Sequence, residues 1–105
     1  MTIANTLQTP YYAVIFTSLR TKTDEESYKR MAQKMSELVE KQEGYLGQES
    51  AHENLGITVS YWKDLDSIRK WKENSQHIFA QNQGKEKWYE AYKVRICKVE
   101  RDYQF

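Results

Sequence analysis

Apolar residues are most concentrated near the start of the chain, in the run YYAVIFTSL at 11–19. Aromatic and β-branched residues favour extended backbone, so this run predicts the first strand of a sheet. Successive side chains of a strand point to opposite faces. Both faces of this strand are apolar, with Tyr12, Val14 and Phe16 on one and Tyr11, Ala13 and Ile15 on the other. Such a strand needs cover on both sides.

A charged segment with one apolar stripe follows this strand. The tetrapeptide TDEE at 23–26 matches a capping box, in which Thr23 and Glu26 satisfy backbone donors at a helix start. Beyond it, apolar residues recur at spacings of three and four, at Tyr28, Met31, Met35 and Leu38. We predict a helix that starts at Thr23 and stops at Gly44, where glycine tolerates a left-handed cap.

The next two segments predict a β-hairpin. YLGQESAHE at 45–53 and ITVSYW at 57–62 are strand-like, and NLG between them is a turn. Asp64 is then suited to cap a second helix, whose inward stripe is Leu65, Ile68 and Trp71. We predict a break near 73–75, before a further turn with Ile78 and Phe79. YKVRICKVERDY at 92–103 predicts the last strand.

The order β-α-β-β-α-β predicts an α+β fold of the ferredoxin-like type, with a four-stranded antiparallel sheet and both helices on one face. At 105 residues the chain fits a single domain, 1–105, with a polar lead at 1–10. The helices leave one sheet face bare, although the first strand is apolar on both faces. We therefore predict a homodimer that packs sheet against sheet; the alternative is a monomer with scattered exposed aromatic residues.

The composition limits the classes of binding partner that the sequence supports. Sixteen basic and fifteen acidic residues give a net charge of +1, which gives no support for nucleic-acid or membrane binding. The N-terminus MTIANTLQTP has neither the basic start nor the apolar run of a signal peptide, so the expected compartment is the cytoplasm. Only 39% of the residues are hydrophobic, and fourteen of them are aromatic. The aromatic side chains must therefore supply much of the core.

Familiar catalytic and metal motifs are missing from the sequence. It contains no CxxC, HExxH, GxSxG or glycine-rich phosphate loop. Cys97, the lone cysteine, falls inside the last predicted strand, where a small buried side chain is a commoner explanation than a nucleophile. We expect no metal site.

His77 is the candidate acid or base, because it follows the predicted helix break and histidine exchanges a proton near neutral pH. The alternative is a partly exposed loop histidine. His52, beside the predicted hairpin turn, is expected to be solvated. The aromatic residues Trp62, Trp71, Trp88 and Tyr89 could stack a flat ligand, or they could form the core or a dimer seam.

Several motifs between residues 11 and 105 resemble the antibiotic biosynthesis monooxygenase family of dimeric α+β barrel proteins. The most specific are YWK at 61–63, Trp71, His77 followed by AQNQG, and the closing WYEAYKVRICKVERDY. The resemblance implies the same fold and a homodimer. It also implies a pocket in which a flat aromatic substrate is oxygenated by O2 without metal or flavin.

In that reaction the substrate anion gives an electron to O2, and the protein holds the ring and stabilises negative charge. The resemblance suggests His77 as proton acceptor or anion partner, with Trp71 and Tyr61 as pocket walls. It further suggests three polar contacts to the substrate, from Asn74, Gln81 and Arg95.

One branch of the family degrades haem, which then serves as both substrate and cofactor. Its members carry an asparagine on the first strand and an axial histidine about ten residues after a helix tryptophan. Here the first strand has no asparagine, Gln81 stands ten residues after Trp71, and His77 stands only six after it. The favoured hypothesis is therefore a cofactor-independent monooxygenase of a small aromatic or quinone-like compound. The alternatives are a haem-binding monooxygenase and a non-catalytic dimer that binds a hydrophobic small molecule.

Overall fold

The computed structural model of the protein describes residues 2–81 and 87–105, with the backbone alone at 79–81. Four strands and two helices follow one another as β1 (Tyr11–Arg20), α1 (Glu25–Val39), β2 (Tyr45–His52), β3 (Gly56–Trp62), α2 (Leu65–Gln81) and β4 (Tyr89–Val99). The strands form one antiparallel sheet in the order β2-β3-β1-β4. The predicted ferredoxin-like fold is confirmed.

Two clusters of large side chains join the helices to one face of the sheet. The first contains Met31, Ile78, Trp88 and Tyr89, with Phe16, Tyr28 and Met35 among the residues packed on it. The second contains Val39, Trp62 and Ile68, with Tyr12, Val14, Tyr45 and Trp71 packed on it. The aromatic residues thus supply much of the core, as the composition predicts.

The two fully buried tryptophans each satisfy their indole N–H with a serine. Trp62 Nε1 donates to Ser60 Oγ at 2.9 Å, and Trp88 Nε1 donates to Ser27 Oγ at the same distance. A buried indole without such an acceptor would lose free energy of folding, so each serine is part of the packing around its tryptophan.

The start of α1 differs from the prediction, because Asp24 and not Thr23 is the N-cap. Asp24 adopts a left-handed backbone with φ of 50°, and its side chain accepts a hydrogen bond from the Ser27 N–H. The hydroxyl of Thr23 is used elsewhere, since it donates to the Lys87 carbonyl. Aspartate tolerates this backbone better than threonine, whose side chain branches at Cβ.

The end of α1 and the continuity of α2 were also predicted incorrectly. Helix α1 stops at Val39, and Gly44 lies in the turn before β2 with φ of 86°. Helix α2 runs through the predicted break at 73–75. At that point the Ser75 hydroxyl donates to the Lys72 carbonyl, three residues back, and so stays within the helical pattern.

The last strand begins and ends earlier than predicted, at Tyr89 and Val99 instead of 92 and 103. Its first residue pairs with Arg20 at the end of β1. Residues 100–105 leave the sheet, and Asp102 accepts a hydrogen bond from the Tyr11 hydroxyl at 2.6 Å. That bond gives the segment after β4 a contact back to the first strand.

The Asp24 cap makes stability depend on pH. A hydrogen-bonded ion pair to Lys87 at 2.9 Å, helped by hydrogen bonds from Ser27, lowers the pKa of Asp24 from 3.8 to about 2. A carboxylate with a lowered folded-state pKa stabilises the fold above pH 3.8, and this contribution is lost as the pH falls toward 2. We expect Asp24→Asn, which keeps the cap oxygen, to unfold at lower urea than wild type at pH 7.

The difference in urea midpoint between Asp24→Asn and wild type should close as the pH approaches 2. Lys87→Met should reproduce the neutral-pH difference, and adding it to Asp24→Asn should cost little more, because both changes remove one ion pair. A difference that stays constant across this pH range would contradict the assignment.

Candidate functional site

A partly open cleft of about 1280 Å³ lies between the helix-facing side of the sheet and the two helices. It exists because the two core clusters do not fill the whole space between the layers. A volume of this order exceeds that of an ordinary packing defect and is somewhat larger than the ~300–1,000 Å³ of most small-molecule sites.

The walls of the cleft are mainly apolar. Strand β1 contributes Val14 and Phe16, helix α1 contributes Met31, Ala32 and Met35, and helix α2 contributes Ile68 and Trp71. Thioether and aromatic side chains adapt to flat hydrophobic molecules. These walls therefore suit a planar aromatic ligand.

A strip of neutral polar side chains runs across the sheet floor of the cleft: Ser18, Gln48, Ser50, Thr58 and Ser60. They share one face because the register pairs Gln48 with Ser60 and Ser50 with Thr58 on neighbouring strands. Hydroxyl and amide groups can donate or accept hydrogen bonds, so the floor can orient ring oxygens of a ligand.

At one part of the cleft Arg20, Glu25 and Tyr28 form a stacked, charged group. The Arg20 guanidinium carbon lies 3.1 Å from the centroid of the Tyr28 ring. Arg20 Nη2 donates to Glu25 Oε1 at 2.7 Å. Nearby, burial is the main cause that raises the pKa of Tyr89 above its ordinary value of 10.0, with Tyr28 contributing. The Tyr89 phenol is therefore uncharged at neutral pH.

Among the six site residues predicted from sequence, Trp71 is on the cleft wall. It is half-buried and stacks on the fully buried Trp62, with ring centroids 6.3 Å apart and an interplanar angle of 26°. This contact fixes the indole plane along the cleft.

Tyr61 and Arg95 lie on the opposite face of the sheet. Tyr61 pairs in register with Ala13, and Arg95 pairs with Ile15, whereas the neighbouring Tyr12 and Val14 pack toward the helices. The Tyr61 hydroxyl donates to Glu49 Oε1 at 2.6 Å. Burial and this hydrogen bond raise the pKa of Tyr61 to about 12. Neither residue lines the cleft.

The remaining three predicted residues are on α2. His77 is exposed and is not part of the cleft lining, because the uninterrupted helix carries it away from the cleft instead of projecting it inward. Asn74 is exposed, and its Nδ2 donates to Gln42 Oε1 at 3.1 Å. The Gln81 side chain lies outside the described residues. His52 is exposed, as predicted, and lies at the rim of the cleft.

Sequence reasoning missed the charged group at Arg20 and the polar floor. The strand alternation contains a signal for part of them, since Ser18 and Arg20 follow Phe16 at intervals of two on the helix-facing side. The stack of Arg20 on Tyr28 joins the end of β1 to the first turns of α1, and no spacing rule predicts that contact.

In the described part of the chain, no three histidine, cysteine or acidic side chains come together as metal ligands. The described helices also include none that is long and apolar enough to cross a membrane.

Residues 15–103 match the family described as monooxygenase af470-like, so the chain belongs to this family. A relative from Bacillus subtilis, the uncharacterized protein YqjZ, is 42% identical over 105 residues, covering 98% of this chain and 91% of the relative. The resemblance to the antibiotic biosynthesis monooxygenases that the sequence predicts is confirmed.

Solved structures share the fold at low sequence identity. A Nitrosomonas europaea protein assigned as an antibiotic biosynthesis monooxygenase is 15% identical with a TM-score of 0.69, covering 90% of this chain and 95% of its own. SnoaB of Streptomyces nogalater, a cofactor-independent oxygenase, is 8% identical with a TM-score of 0.67, covering 90% and 97%. PA3566 of Pseudomonas aeruginosa is 16% identical with a TM-score of 0.66, covering 92% and 99%.

Substitutions of the two predicted wall residues, Trp71 and Tyr61, should have different effects on the affinity for an aromatic ligand. Because Trp71 lines the cleft and Tyr61 does not, we expect Trp71→Leu to weaken binding of 2-naphthamide by about fivefold, the value of one aromatic contact. Tyr61→Phe, which removes only the hydroxyl bonded to Glu49, should leave the affinity unchanged. Isothermal titration calorimetry measures both, and the reverse order of effects would place the ligand on the other sheet face.

Proposed function

We propose that the protein is a cofactor-independent monooxygenase that uses O2 to oxygenate a small aromatic or quinone-like compound. The observation that carries this proposal is the cleft between helices and sheet, with a fixed tryptophan, two methionines and a phenylalanine on its walls. Membership of a monooxygenase family supports the reaction class.

The reaction needs no further reductant when the substrate supplies all four electrons. Conversion of a ring CH2 to C=O with one oxygen atom of O2 releases the other atom with both substrate hydrogens as water. The substrate must first lose a proton so that its anion can pass an electron to O2. The protein then contributes by holding the ring, excluding water and stabilising the anion.

Within the cleft, the methionines and Trp71 would contact the ring faces, and Gln48, Ser50 and Thr58 would bind ring oxygens. A proton-accepting role for His77 stays a prediction, and its exposed position outside the cleft lining does not support it. Substrates whose acidity is already high, and which ionise without a strong protein base, fit this site best.

Oxygen uptake with anthrone tests the activity, because anthrone has an acidic ring CH2 that forms a stabilised anion. We expect uptake by protein prepared without added metal, flavin or haem, and one quinone formed for each O2 consumed. Ala32→Trp fills the cleft from α1 and should abolish uptake. The matched control is Gln33→Trp, which adds the same side chain at the next, exposed position.

Uptake by His77→Ala should equal that of wild type, because the imidazole does not line the cleft. Anthrone binding without any oxygen uptake would instead favour a non-catalytic binding protein. Saturable haemin binding followed by haem bleaching under O2 with a reductant would favour the haem-degrading alternative.

We also propose that the protein is a homodimer that packs through the sheet face opposite the helices. On that face Tyr11 and Ala13 are already buried, and Ala4 N–H donates to Glu49 Oε2 at 2.9 Å, so the N-terminal segment lies against part of it. Further along β1, Leu19 is 39% exposed, and on β3 Ile57, which pairs with Thr17, is 40% exposed. A second copy packed on this apolar remainder would remove it from water.

We expect analytical ultracentrifugation to give a mass of twice 12.6 kDa for the dimer. Ile15 stands at the centre of the proposed interface, between Val59 and Arg95. We expect Ile15→Lys to sediment as a folded monomer, because burying a lysine there is unfavourable. The control Leu55→Lys changes an exposed residue in the hairpin turn and should remain dimeric. A wild-type protein that sediments as a monomer at micromolar concentration would contradict the proposal.

A further inference from the structure

Arg20 is a cation on the cleft wall beside the apolar Phe16 and Met31, and the described residues leave much of its hydrogen-bonding capacity unused. Its side chain is 24% exposed. A guanidinium carries five N–H donors. The one hydrogen bond from this side chain to a described residue joins Nη2 to Glu25. The buried Nε has no hydrogen-bond partner among the described residues.

Its position is fixed before any ligand arrives. Stacking on Tyr28 holds the guanidinium plane, and Glu25 holds one edge of it, so little side-chain entropy remains to be lost on binding. Glu25 is itself about half exposed, and therefore solvent screens its attraction for Arg20. Glu25 therefore neutralises the guanidinium only in part, and Arg20 can still bind a second anion that is better shielded from water.

The apolar lining begins beside this cation. Phe16 and Met31 line the cleft together with Arg20, and Ser18 is the next inward-facing residue along β1. A ligand with an anionic oxygen at Arg20 would therefore lay its hydrocarbon body along the phenylalanine and methionine walls toward Trp71. Hydrogen bonds to a charged partner are stronger than neutral ones, and they are strengthened further in a site shielded from water.

We propose that the cleft binds planar aromatic anions, and that Arg20 binds their anionic oxygen. The substrate class is an aromatic acid or an aromatic compound with an ionised enol or phenol. This inference rests on the proposed function and deepens it, because Arg20 would stabilise the same anion that gives an electron to O2. It assigns the electrostatic stabilisation of the anion to Arg20, which lies on β1 and contacts the first turn of α1. The exposed His77 has no part in this stabilisation.

The test compares two probes of nearly equal shape, 2-naphthoate and the neutral 2-naphthamide, by isothermal titration calorimetry at pH 7. Wild type should bind the anion about tenfold more tightly, the effect of one charge-assisted hydrogen bond. Arg20→Gln should remove this preference, so that 2-naphthoate and 2-naphthamide bind the variant with nearly equal affinity. Glu25→Gln removes the competing carboxylate and should tighten 2-naphthoate binding.

Lys22→Gln is the matched control, because Lys22 is another cation at the cleft but is exposed to solvent. It should change the affinity for 2-naphthoate far less than Arg20→Gln does. Thermal melting of each variant separates misfolding from loss of the anion site, and Glu25→Gln tests the same site without altering Arg20.

Equal affinity of wild type for the two probes, or an unchanged preference in Arg20→Gln, would overturn the anion site alone and leave the proposed function standing. Failure of wild type to bind either probe would overturn both the anion site and the aromatic-binding function. An equal loss of anion affinity in Lys22→Gln and Arg20→Gln would also overturn it, because it would indicate a diffuse charge effect.

Discussion

The helix layer depends on two buried tryptophans. Trp62 sits in the cluster formed with Val39 and Ile68, and Trp88 in the cluster formed with Met31 and Ile78. Each indole N–H is bonded to a serine, so both rings are buried without an unsatisfied donor. Large rigid rings fill much space with few side chains, which suits a chain of modest apolar content.

A core built from a few large side chains also leaves the cleft open. On β2 and β3, beside the tryptophan clusters, the sheet presents serine, threonine and glutamine to the helices. These short polar side chains cannot close the gap to α1 and α2, and their hydroxyl and amide groups are better satisfied by a ligand or water than by packing. Core and site are therefore two consequences of one arrangement of residues on the helix-facing side of the sheet. The opposite face carries a separate set of contacts, including the Tyr61 and Glu49 pair.

Much of the fold could be predicted from the sequence, because strand alternation and the apolar stripes of the helices repeat over several turns. The element order and the Asp64 cap were predicted correctly, and the structure has the Ser67 N–H donating to Asp64 Oδ1 at 2.8 Å. One error falls where a tertiary contact competes with a local signal, since the Thr23 hydroxyl donates to the Lys87 carbonyl. The other has a local cause, because the Ser75 hydroxyl donates to the Lys72 carbonyl within the helix that it was expected to break.

The site was harder to predict than the fold. Trp71 lines the cleft, but Tyr61 and Arg95 fall on the other sheet face, and a continuous α2 leaves His77 exposed. Residue type alone indicates which side chains could do chemistry, whereas a shift of one residue in a strand reverses the face on which they lie. Arg20 carries no sequence signature because its importance comes from contact with Tyr28 on another element.

The most direct test of the account is a crystal structure of the protein grown with 2-naphthoate. The account predicts the naphthalene ring between α1 and the sheet, against Met31 and Trp71, with the carboxylate on Arg20. A ring bound on the opposite sheet face beside Tyr61, or a cleft closed by its own side chains with no ligand in it, would contradict the central claim that this cleft is the functional site.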